Sequence, residues 1–373
     1  MIDQETIALL TKGLTNVTWQ GSVMLAVSFF LMYLAIVKDY EPLLLLPISA
    51  GCMLANLPLS PMITDEGMLK VLYNFGVDNE LFPLFIFIGI GALTDFGPLL
   101  ENPRLVLLGG AGQFGIFLTL LLALMIGFDQ PEAASIGIIG AIDGPTSIYV
   151  SGLLAPHLLG PITVAAYSYM SLVPIIMPPV IKMFTTAKER EIRMPYSSRK
   201  ISKKTRVIFP VGATCVVGFL VPYAIPLVGA FMLGNLLKES GVVERLAGTA
   251  SNELANIVTL FLGLAIGSTM AGESFLKSDT MFIMILGLGA FALDAAAGVL
   301  FAKILNIFGT GLNPMIGAAG ISAFPMAARV VQKMAFEADF QNFILMHAMG
   351  SNAAGQLASA VAGGVLLALM GAS

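Results

Sequence analysis

The sequence predicts an all-α protein that crosses a membrane many times, and three observations indicate this fold class. Hydrophobic residues make up 57% of the 373-residue chain. Charged residues make up 11%, too few to cover the surface of a soluble protein of this length. Long apolar runs separated by short polar turns recur from end to end, as expected of helices that span a bilayer. We therefore expect a multi-pass protein of the cell inner (cytoplasmic) membrane, embedded in lipid.

Apolar runs define five candidate spans in each half of the chain. Those of the first half lie near residues 17–37, 42–58, 81–98, 105–128 and 162–181. Those of the second half lie near residues 207–223, 225–238, 254–274, 280–305 and 342–370. Because the chain opens with acidic rather than basic residues, we expect the first span to be retained and not removed as a signal peptide.

Each half also contains a helical segment interrupted by Gly and Pro, at residues 133–156 and 312–335. GIIGAIDGP in the first segment and GAAGISAFP in the second share Gly, Gly and Pro in one register, 180 positions apart. LFPLFIFIGIGAL near residue 81 likewise resembles IVTLFLGLAIGST near residue 257. Together these matches indicate an internal duplication. With five spans and one interrupted hairpin in each half, we expect two repeats of opposite orientation, the inverted-repeat plan of secondary transporters.

A basic segment separates the two predicted repeats, which cover residues 1–181 and 207–373. Nine of the 19 Lys and Arg residues lie between Lys182 and Arg206. This concentration places the linker at residues 182–206 in the cytoplasm. The linker is either only a determinant of topology or also a docking surface for a soluble partner. No nucleic-acid-binding fold accompanies it, so we expect no nucleic-acid partner.

Asp143 is the sharpest functional signal, because it is the only charged residue in the first interrupted apolar segment. A carboxylate at membrane depth costs about 2.5–3.5 kcal/mol, so a chain retains one where it faces a partner, a cavity or an ion. Sodium, like other hard cations, prefers oxygen ligands, which Asp143, Thr146 and Ser147 can supply. The alternative is a loop aspartate that caps a short helix near the membrane surface.

The second interrupted segment carries a small set of candidate residues, namely Asn313, Gly317, Ser322 and Arg329. Arg329 has three possible roles: it pairs with Asp143, it binds the carboxylate of a substrate, or it extends to the lipid headgroups.

Polar residues on other spans add further candidates. Tyr169 and Asn352 lie on the spans that follow the two interrupted segments, where they can line the same cavity. Asp95 and Asp294 are single acids that we place near the ends of spans, as interfacial or helix-capping residues.

Three stretches carry a family resemblance: GAIDGPTSIYV, NPMIGAAGISAFPMAARVVQK and FILMHAMGSNAAGQLASAVAGG. With them the chain resembles, over nearly its whole length, the β subunit of the biotin-dependent sodium-translocating decarboxylases. Members of that family act on oxaloacetate, methylmalonyl-CoA, glutaconyl-CoA or malonate. A generic transporter is not expected to share all three stretches.

The resemblance implies roles for particular residues. It implies catalytic roles for Asp143, Tyr169 and Arg329. It implies binding of carboxybiotin by Arg329 and Ser322. The implied sodium ligands are Asp143, Asn313, Gly317, Ser322 and Asn352, and Thr146 joins them as the oxygen donor expected beside Asp143. The family often has proline before the late asparagine, and this chain has Ser351 there, which weakens the expectation for Asn352.

The resemblance also implies a mechanism and partners. A carboxyltransferase α subunit moves a carboxyl group onto biotin, and a biotin carrier protein brings carboxybiotin to this membrane subunit. Decarboxylation here consumes a proton while Na⁺ moves outward, and we hypothesise that Asp143 exchanges sodium for a proton. A small single-span membrane subunit and further copies of this chain complete the expected complex. The chain has no Met-Lys-Met attachment site, so biotin must be attached to a partner chain.

Two other functions are compatible with the pattern. A sodium-coupled carboxylate transporter or a Na⁺/H⁺ antiporter would share the inverted repeat and the interrupted segments, but would work without decarboxylase partners. A non-catalytic membrane scaffold would leave Asp143 and Arg329 without a purpose.

Overall fold

The computed structural model describes residues 11–39, 41–195 and 201–371, and over these residues it contains helices and turns but no β-strand. This confirms the predicted all-α class. The principal helices are α1 (Trp19–Val37), α2 (Pro42–Asn56), α3 (Leu81–Leu93), α4 (Leu105–Ala111), α5 (Phe114–Ile126), α6 (Gln130–Gly137), α7 (Gly144–Leu154), α8 (Leu159–Phe184), α9 (Lys203–Leu220), α10 (Ile225–Ser240), α11 (Ala255–Ser268), α12 (Ser278–Ile307), α13 (Met326–Ala338) and α14 (Leu345–Leu369).

Short helical turns connect these helices. The α-helical ones are Met68–Leu72, Gly97–Glu101, Ala187–Arg190, Glu244–Thr249, Gly272–Phe275 and Met315–Ala318. The 3₁₀ turns are Pro61–Ile63, Ile138–Ala141, Pro156–Leu158 and Pro222–Ala224. Two π-helical segments, Tyr73–Val77 and Ala250–Leu254, precede the regions that the sequence matched between the two halves.

Six helical stretches of the described chain are long and apolar enough to cross a membrane. They are Trp19–Val37, Leu105–Ile126, Pro156–Phe184, Glu244–Ser268, Ser278–Ile307 and Leu345–Leu369. A seventh crossing results if Pro42–Asn56 and Pro61–Val77, which meet at a bend of 109°, are one broken span. The chain is therefore a multi-pass membrane protein, as the composition predicts.

The described residues form two compact units. The first unit contains the described residues up to Phe82 together with Asn256–Phe282. The second contains Pro83–Ala255 and the chain from Ile283 onward, and so it holds both interrupted segments. The repeat boundaries predicted at residues 181 and 207 divide the chain by sequence similarity and not by packing, and they remain a prediction.

Two asparagines make matching contacts, one in each unit. In the first unit the Asn56 side chain donates to the carbonyl of Met270 at 2.9 Å. In the second unit the Asn235 side chain donates to the carbonyl of Thr94 at 3.0 Å.

Sequence similarity relates the two contacts. Asn56 lies in MLANL and Asn235 in MLGNL, while Thr94 and Met270 directly follow the similar stretches that begin at residues 81 and 257. Each asparagine thus fastens a helix of one half to a helix of the other half, through the corresponding carbonyl. This correspondence supports the predicted duplication, and the opposite orientation of the repeats stays a prediction.

Candidate functional site

The first interrupted segment breaks where the sequence places Gly and Pro around Asp143. Helix α6 ends at Gly137, a 3₁₀ turn follows over Ile138–Ala141, and Ile142 has a left-handed backbone with φ of 53°. Asp143 is then the N-cap of α7, and its side chain is 3% exposed. The residue is a helix cap, as one interpretation expected, but it lies in the interior.

Four neutral donors surround the Asp143 carboxylate. Oδ2 accepts from the hydroxyl groups of Thr146 at 2.7 Å and Ser359 at 2.7 Å, and from the side-chain amide of Gln356 at 2.9 Å. Among the described residues, Oδ1 accepts only the backbone N–H of Thr146, at 3.4 Å. No cation pairs with this carboxylate within the described part of the chain. Oδ1 therefore keeps the capacity to bind a proton or a cation.

Helix α14 presents a polar face to both interrupted segments. Asn352, Gln356 and Ser359 follow one another at spacings of four and three residues, so they lie on one side of the helix. Asn352 donates to the carbonyl of Ile321 in the second segment at 2.6 Å. Gln356 and Ser359 bind Asp143 in the first segment. Sequence reasoning missed both, although their helical spacing within the quoted C-terminal stretch was an available signal.

The two interrupted segments contact each other directly. The backbone N–H of Ser322 donates to the carbonyl of Ala141 at 3.0 Å, and the Ser322 hydroxyl donates to the carbonyl of Gly355 at 2.9 Å. Ala141 corresponds to the residue before Ser322 in the 180-residue register. The segments thus meet near equivalent positions, which brings Ser322 and the Asn352 contact into the neighbourhood of Asp143.

Asn313 binds a different part of the chain. Its side-chain amide donates to the carbonyls of Arg190 at 3.0 Å and Ile192 at 2.9 Å, in the segment that follows α8. Its side-chain oxygen accepts the N–H of Met315 at 3.0 Å. These contacts do not bring Asn313 to Asp143, and its sodium-ligand role remains a prediction.

Gly317 is a point of close helix packing. A Cβ added at Gly317 would collide with the carbonyl of Gly298 on α12, and a Cβ at Gly298 would collide with the carbonyl of Gly317. Only glycine allows the two backbones to approach this closely. Its proposed binding of sodium stays a prediction.

Arg329 lies on α13 with an exposed side chain. Over the described residues its guanidinium has no hydrogen bond or ion pair, so the structure does not bring Arg329 and Asp143 together as a pair. Binding of a substrate carboxylate and extension to the headgroups both remain compatible with this position.

Two tyrosines of α8 differ in their contacts. The Tyr169 hydroxyl donates to the carbonyl of Met284 on α12. The Tyr167 ring lies against Gly144, beside Asp143, and its buried hydroxyl has no hydrogen-bond partner within the described chain. The resemblance named Tyr169, and no sequence signal distinguished Tyr167 from it.

The prediction that Asp294 is interfacial is wrong. Asp294 lies within α12 and is 0% exposed. Its carboxylate caps the N-terminus of α5, which lies in the interior of the protein. It accepts the N–H of Gly115 at the start of α5, and its other oxygen, near Gly140, has no partner among the described residues. Capping is confirmed for Asp95, which is partly exposed and accepts the N–H of Gly97 at 2.7 Å.

Comparison with known proteins gives one consistent family. The family model for the Na⁺-transporting oxaloacetate decarboxylase beta subunit matches residues 20–370. The chain is 50% identical over 367 residues to the glutaconyl-CoA decarboxylase subunit beta of Acidaminococcus fermentans, covering 98% of this chain and 97% of the relative. It is 51% identical to the methylmalonyl-CoA decarboxylase subunit beta of Veillonella parvula, covering 96% and 95%. It is 46% identical to the oxaloacetate decarboxylase beta chain of Klebsiella pneumoniae, covering 95% and 96%.

Proposed function

We propose a mechanism from one premise: this chain belongs to the family of Na⁺-transporting oxaloacetate decarboxylase β subunits. It is a membrane subunit of a sodium-pumping decarboxylase, and its relatives do not support the alternative of a carboxylate transporter or antiporter without such partners. In the proposed reaction, the chain decarboxylates carboxybiotin delivered by a partner, takes up a proton and moves Na⁺ outward across the cell inner membrane.

One observation carries this proposal: the buried Asp143 carboxylate has four neutral donors and no cation within the described chain. Neutral donors lower the cost of a buried charge but do not neutralise it. The site therefore favours occupation by either Na⁺ or a proton, which is the property of an exchange site. Oδ1 of Asp143 and the hydroxyl oxygen of Tyr167 supply hard oxygen ligands suited to Na⁺.

The residues around Asp143 divide the work of binding and proton transfer. Thr146, Gln356 and Ser359 fix the carboxylate through Oδ2, which leaves Oδ1 for the exchanged ion. When the carbon–nitrogen bond of carboxybiotin breaks, CO₂ leaves and the electron pair on the ring nitrogen takes up a proton. The unpaired hydroxyl of Tyr167 is better placed beside Asp143 to relay that proton than the hydroxyl of Tyr169, which already donates to Met284.

Coupling requires partner subunits and a carboxybiotin site. The relatives are named as beta subunits or chains, which supports a complex of several subunits. The partners that the proposed reaction calls for are a carboxyltransferase α subunit and a biotin carrier, with a small single-span subunit and further copies of this chain completing the complex. Arg329 and Ser322 are the proposed contacts for carboxybiotin. Moving one charge against 100 mV takes about 2.3 kcal/mol, so ion movement must be tied to the exergonic decarboxylation.

The test measures CO₂ release by membranes that contain the whole complex, with and without Na⁺ and with and without avidin. We expect release to require Na⁺, to stop with avidin, and to fall at least about 100-fold in Asp143→Asn, because the amide cannot exchange a cation. Asp95→Asn removes a partly exposed carboxylate and serves as the matched control with near-normal activity. CO₂ release that is unchanged by avidin and by the removal of Na⁺ contradicts the proposal.

A further inference from the structure

A small cavity of about 230 Å³ lies where α8 and α13 meet the segment that follows α8. Its lining includes Lys182 from α8, Arg190 and Glu191 from the following segment, and Met334 and Glu337 from α13. Pockets for drug-sized ligands usually measure about 300–1,000 Å³, so this one suits a compact ring better than a nucleotide or an acyl-CoA.

The segment at residues 186–193, which we call the strap, is held in place from several sides. Glu189 forms an ion pair with Lys303 of α12 at 3.0 Å, and Arg193 pairs with Asp339 at 2.6 Å. The side chain of Asn342 donates to the same two strap carbonyls that bind Asn313, both at 3.1 Å. The wall of the cavity is therefore formed before any ligand arrives.

Both carboxylates of the strap pairs are ionised at neutral pH. Partial burial opposes ionisation of Glu189, but hydrogen bonds from Thr186 and Lys303 outweigh it and hold the pKa of this carboxyl below its usual value. Hydrogen bonds from Arg193 and the Gln341 N–H hold the pKa of Asp339 below its usual value. The ion pairs that fix the strap are therefore present at physiological pH.

The charged side chains that line the cavity have fewer partners than those that hold the strap. Lys182, Glu191 and Glu337 have no ion pair over the described residues. Arg190 uses one nitrogen, Nη1, to bind the carbonyl of Thr185 at 2.7 Å, which leaves its other nitrogens available. Two cations and two carboxylates around one small cavity match a ligand that presents both acceptors and an N–H donor.

We propose that this cavity receives the ring head of carboxybiotin before decarboxylation, an inference that rests on the proposed function. The carboxylate and ureido oxygens of the ring bind Lys182 and Arg190. The remaining ring N–H donates to Glu191 or Glu337, and the apolar part of the ring packs on Met334. Because the whole head is recognised, uncarboxylated biotin binds through the same ureido contacts, more weakly.

Helix α13 connects the cavity with the candidate site. Arg329, Lys333 and Glu337 recur every four residues along one exposed face of this helix. Arg329 lies two turns, about 12 Å, before Glu337 along the axis. The helix therefore carries a charged face from the cavity towards Ser322 and the interrupted segments, along which the anionic head can move.

The test measures binding of free biotin to the purified chain by saturation-transfer NMR, together with protection of Lys182 from acylation by a water-soluble ester. We expect biotin to protect Lys182, and Lys182→Gln and Glu337→Gln each to weaken biotin binding at least five-fold. Lys204→Gln removes an exposed cation of the same basic segment outside the cavity and provides the matched control with unchanged binding. Lys182→Arg keeps the charge and restores most of the affinity.

The outcome separates this proposal from the proposed function. If CO₂ release depends on Na⁺ and stops with avidin, but biotin neither protects Lys182 nor loses affinity in the two variants, the cavity is not the reception site and the decarboxylase stands. If avidin and Na⁺ leave release unchanged, the proposed function itself fails. Equal loss of binding in Lys204→Gln would show a general charge effect and overturn the cavity assignment.

Discussion

The two oxygens of Asp143 are held in different ways, and this difference separates ion binding from positioning. Oδ2 accepts three hydrogen bonds from side chains, whereas Oδ1 accepts one long bond from the backbone. Side chains that bind Oδ2 should therefore set the orientation and affinity of the site without supplying the exchanged charge.

Ser359→Ala tests this division. Loss of a hydrogen bond to a charged group costs about 1.5–3 kcal/mol, so we expect the Na⁺ concentration for half-maximal CO₂ release to rise roughly ten-fold or more. Maximal release at saturating Na⁺ should change much less. Ser351→Ala is the control on the same helix, because the Ser351 hydroxyl is buried and has no partner within the described chain. A similar rise in both variants would contradict a specific contact.

Asp294 offers a second test at residue scale, because its charge and its capping can be separated. Asp294→Asn keeps a side-chain oxygen for the N–H of Gly115, whereas Asp294→Ala leaves that buried donor unpaired. We expect the alanine variant to lose about 1–3 kcal/mol of stability and the asparagine variant much less. Thermal unfolding in detergent checks this, and equal losses would show that the charge, not the cap, is required.

The residues of the site show what sequence can predict at this scale. Asp143 was identifiable because it is the only charged residue in the first interrupted apolar segment. Gln356 and Ser359 gave only a weaker signal, their helical spacing, because neutral side chains in a membrane helix carry no such cost. Tertiary packing is needed to show that this face of the helix lies against Asp143. Asp294 was assigned to the membrane surface because its partner could not be predicted. That partner is the start of α5, which follows a break inside a continuous apolar run, and hydropathy does not show the break.

Close packing of glycines governs how α12 meets the second interrupted segment. Gly298 of α12 lies against Gly317, and neither position has room for a Cβ. Gly289, on the same helix, has nothing within 4 Å of an added Cβ. The two glycines of α12 therefore provide a matched pair of positions.

We expect Gly298→Ala to destabilise the protein by about 1–3 kcal/mol, because the backbones must move apart. Gly289→Ala should be neutral or stabilising by up to about 1 kcal/mol, since alanine favours the helix. Thermal unfolding of both variants in the same detergent gives the comparison. If both variants unfold at the same temperature, the close approach does not limit stability.

The elements themselves were largely predictable from apolar runs and breakers. The spans predicted at residues 162–181, 280–305 and 342–370 correspond to α8, α12 and α14. The span predicted at residues 105–128 contains a break between α4 and α5 that hydropathy does not reveal, because the flanking residues are equally apolar. The meeting of the two interrupted segments through Ser322 and Ala141 required the fold, since they are far apart in sequence.

At the scale of the whole molecule, the length of α8 places the residues before it and the residues after it on opposite sides of the membrane. This helix has 26 residues and is about 39 Å long, more than the roughly 30 Å of the hydrocarbon core. His157, which pairs with Glu132 at 2.8 Å, precedes α8, and the strap follows it. The two regions should therefore face opposite compartments.

Single cysteines test this sidedness after both native cysteines, Cys52 and Cys215, are replaced by alanine. A charged maleimide that does not cross membranes should label Lys188→Cys in the strap from the cytoplasmic side. It should label His157→Cys from the other side. Mass spectrometry of intact cells and of inverted vesicles measures the two patterns. Labelling of both positions from one side would contradict the assigned crossing by α8.

The surroundings of Asp143 also bear on how much of the stored gradient can leak away. Under the proposed function, a return step with neither Na⁺ nor a proton on this carboxylate would carry a bare charge through the membrane interior. That state costs about 2.5–3.5 kcal/mol, and each 1.4 kcal/mol is ten-fold, so the empty form is about 100-fold rarer than the occupied forms. Because no fixed cation neutralises the carboxylate, a return step with an empty site is rare. More of the free energy of each decarboxylation is therefore retained in the sodium gradient.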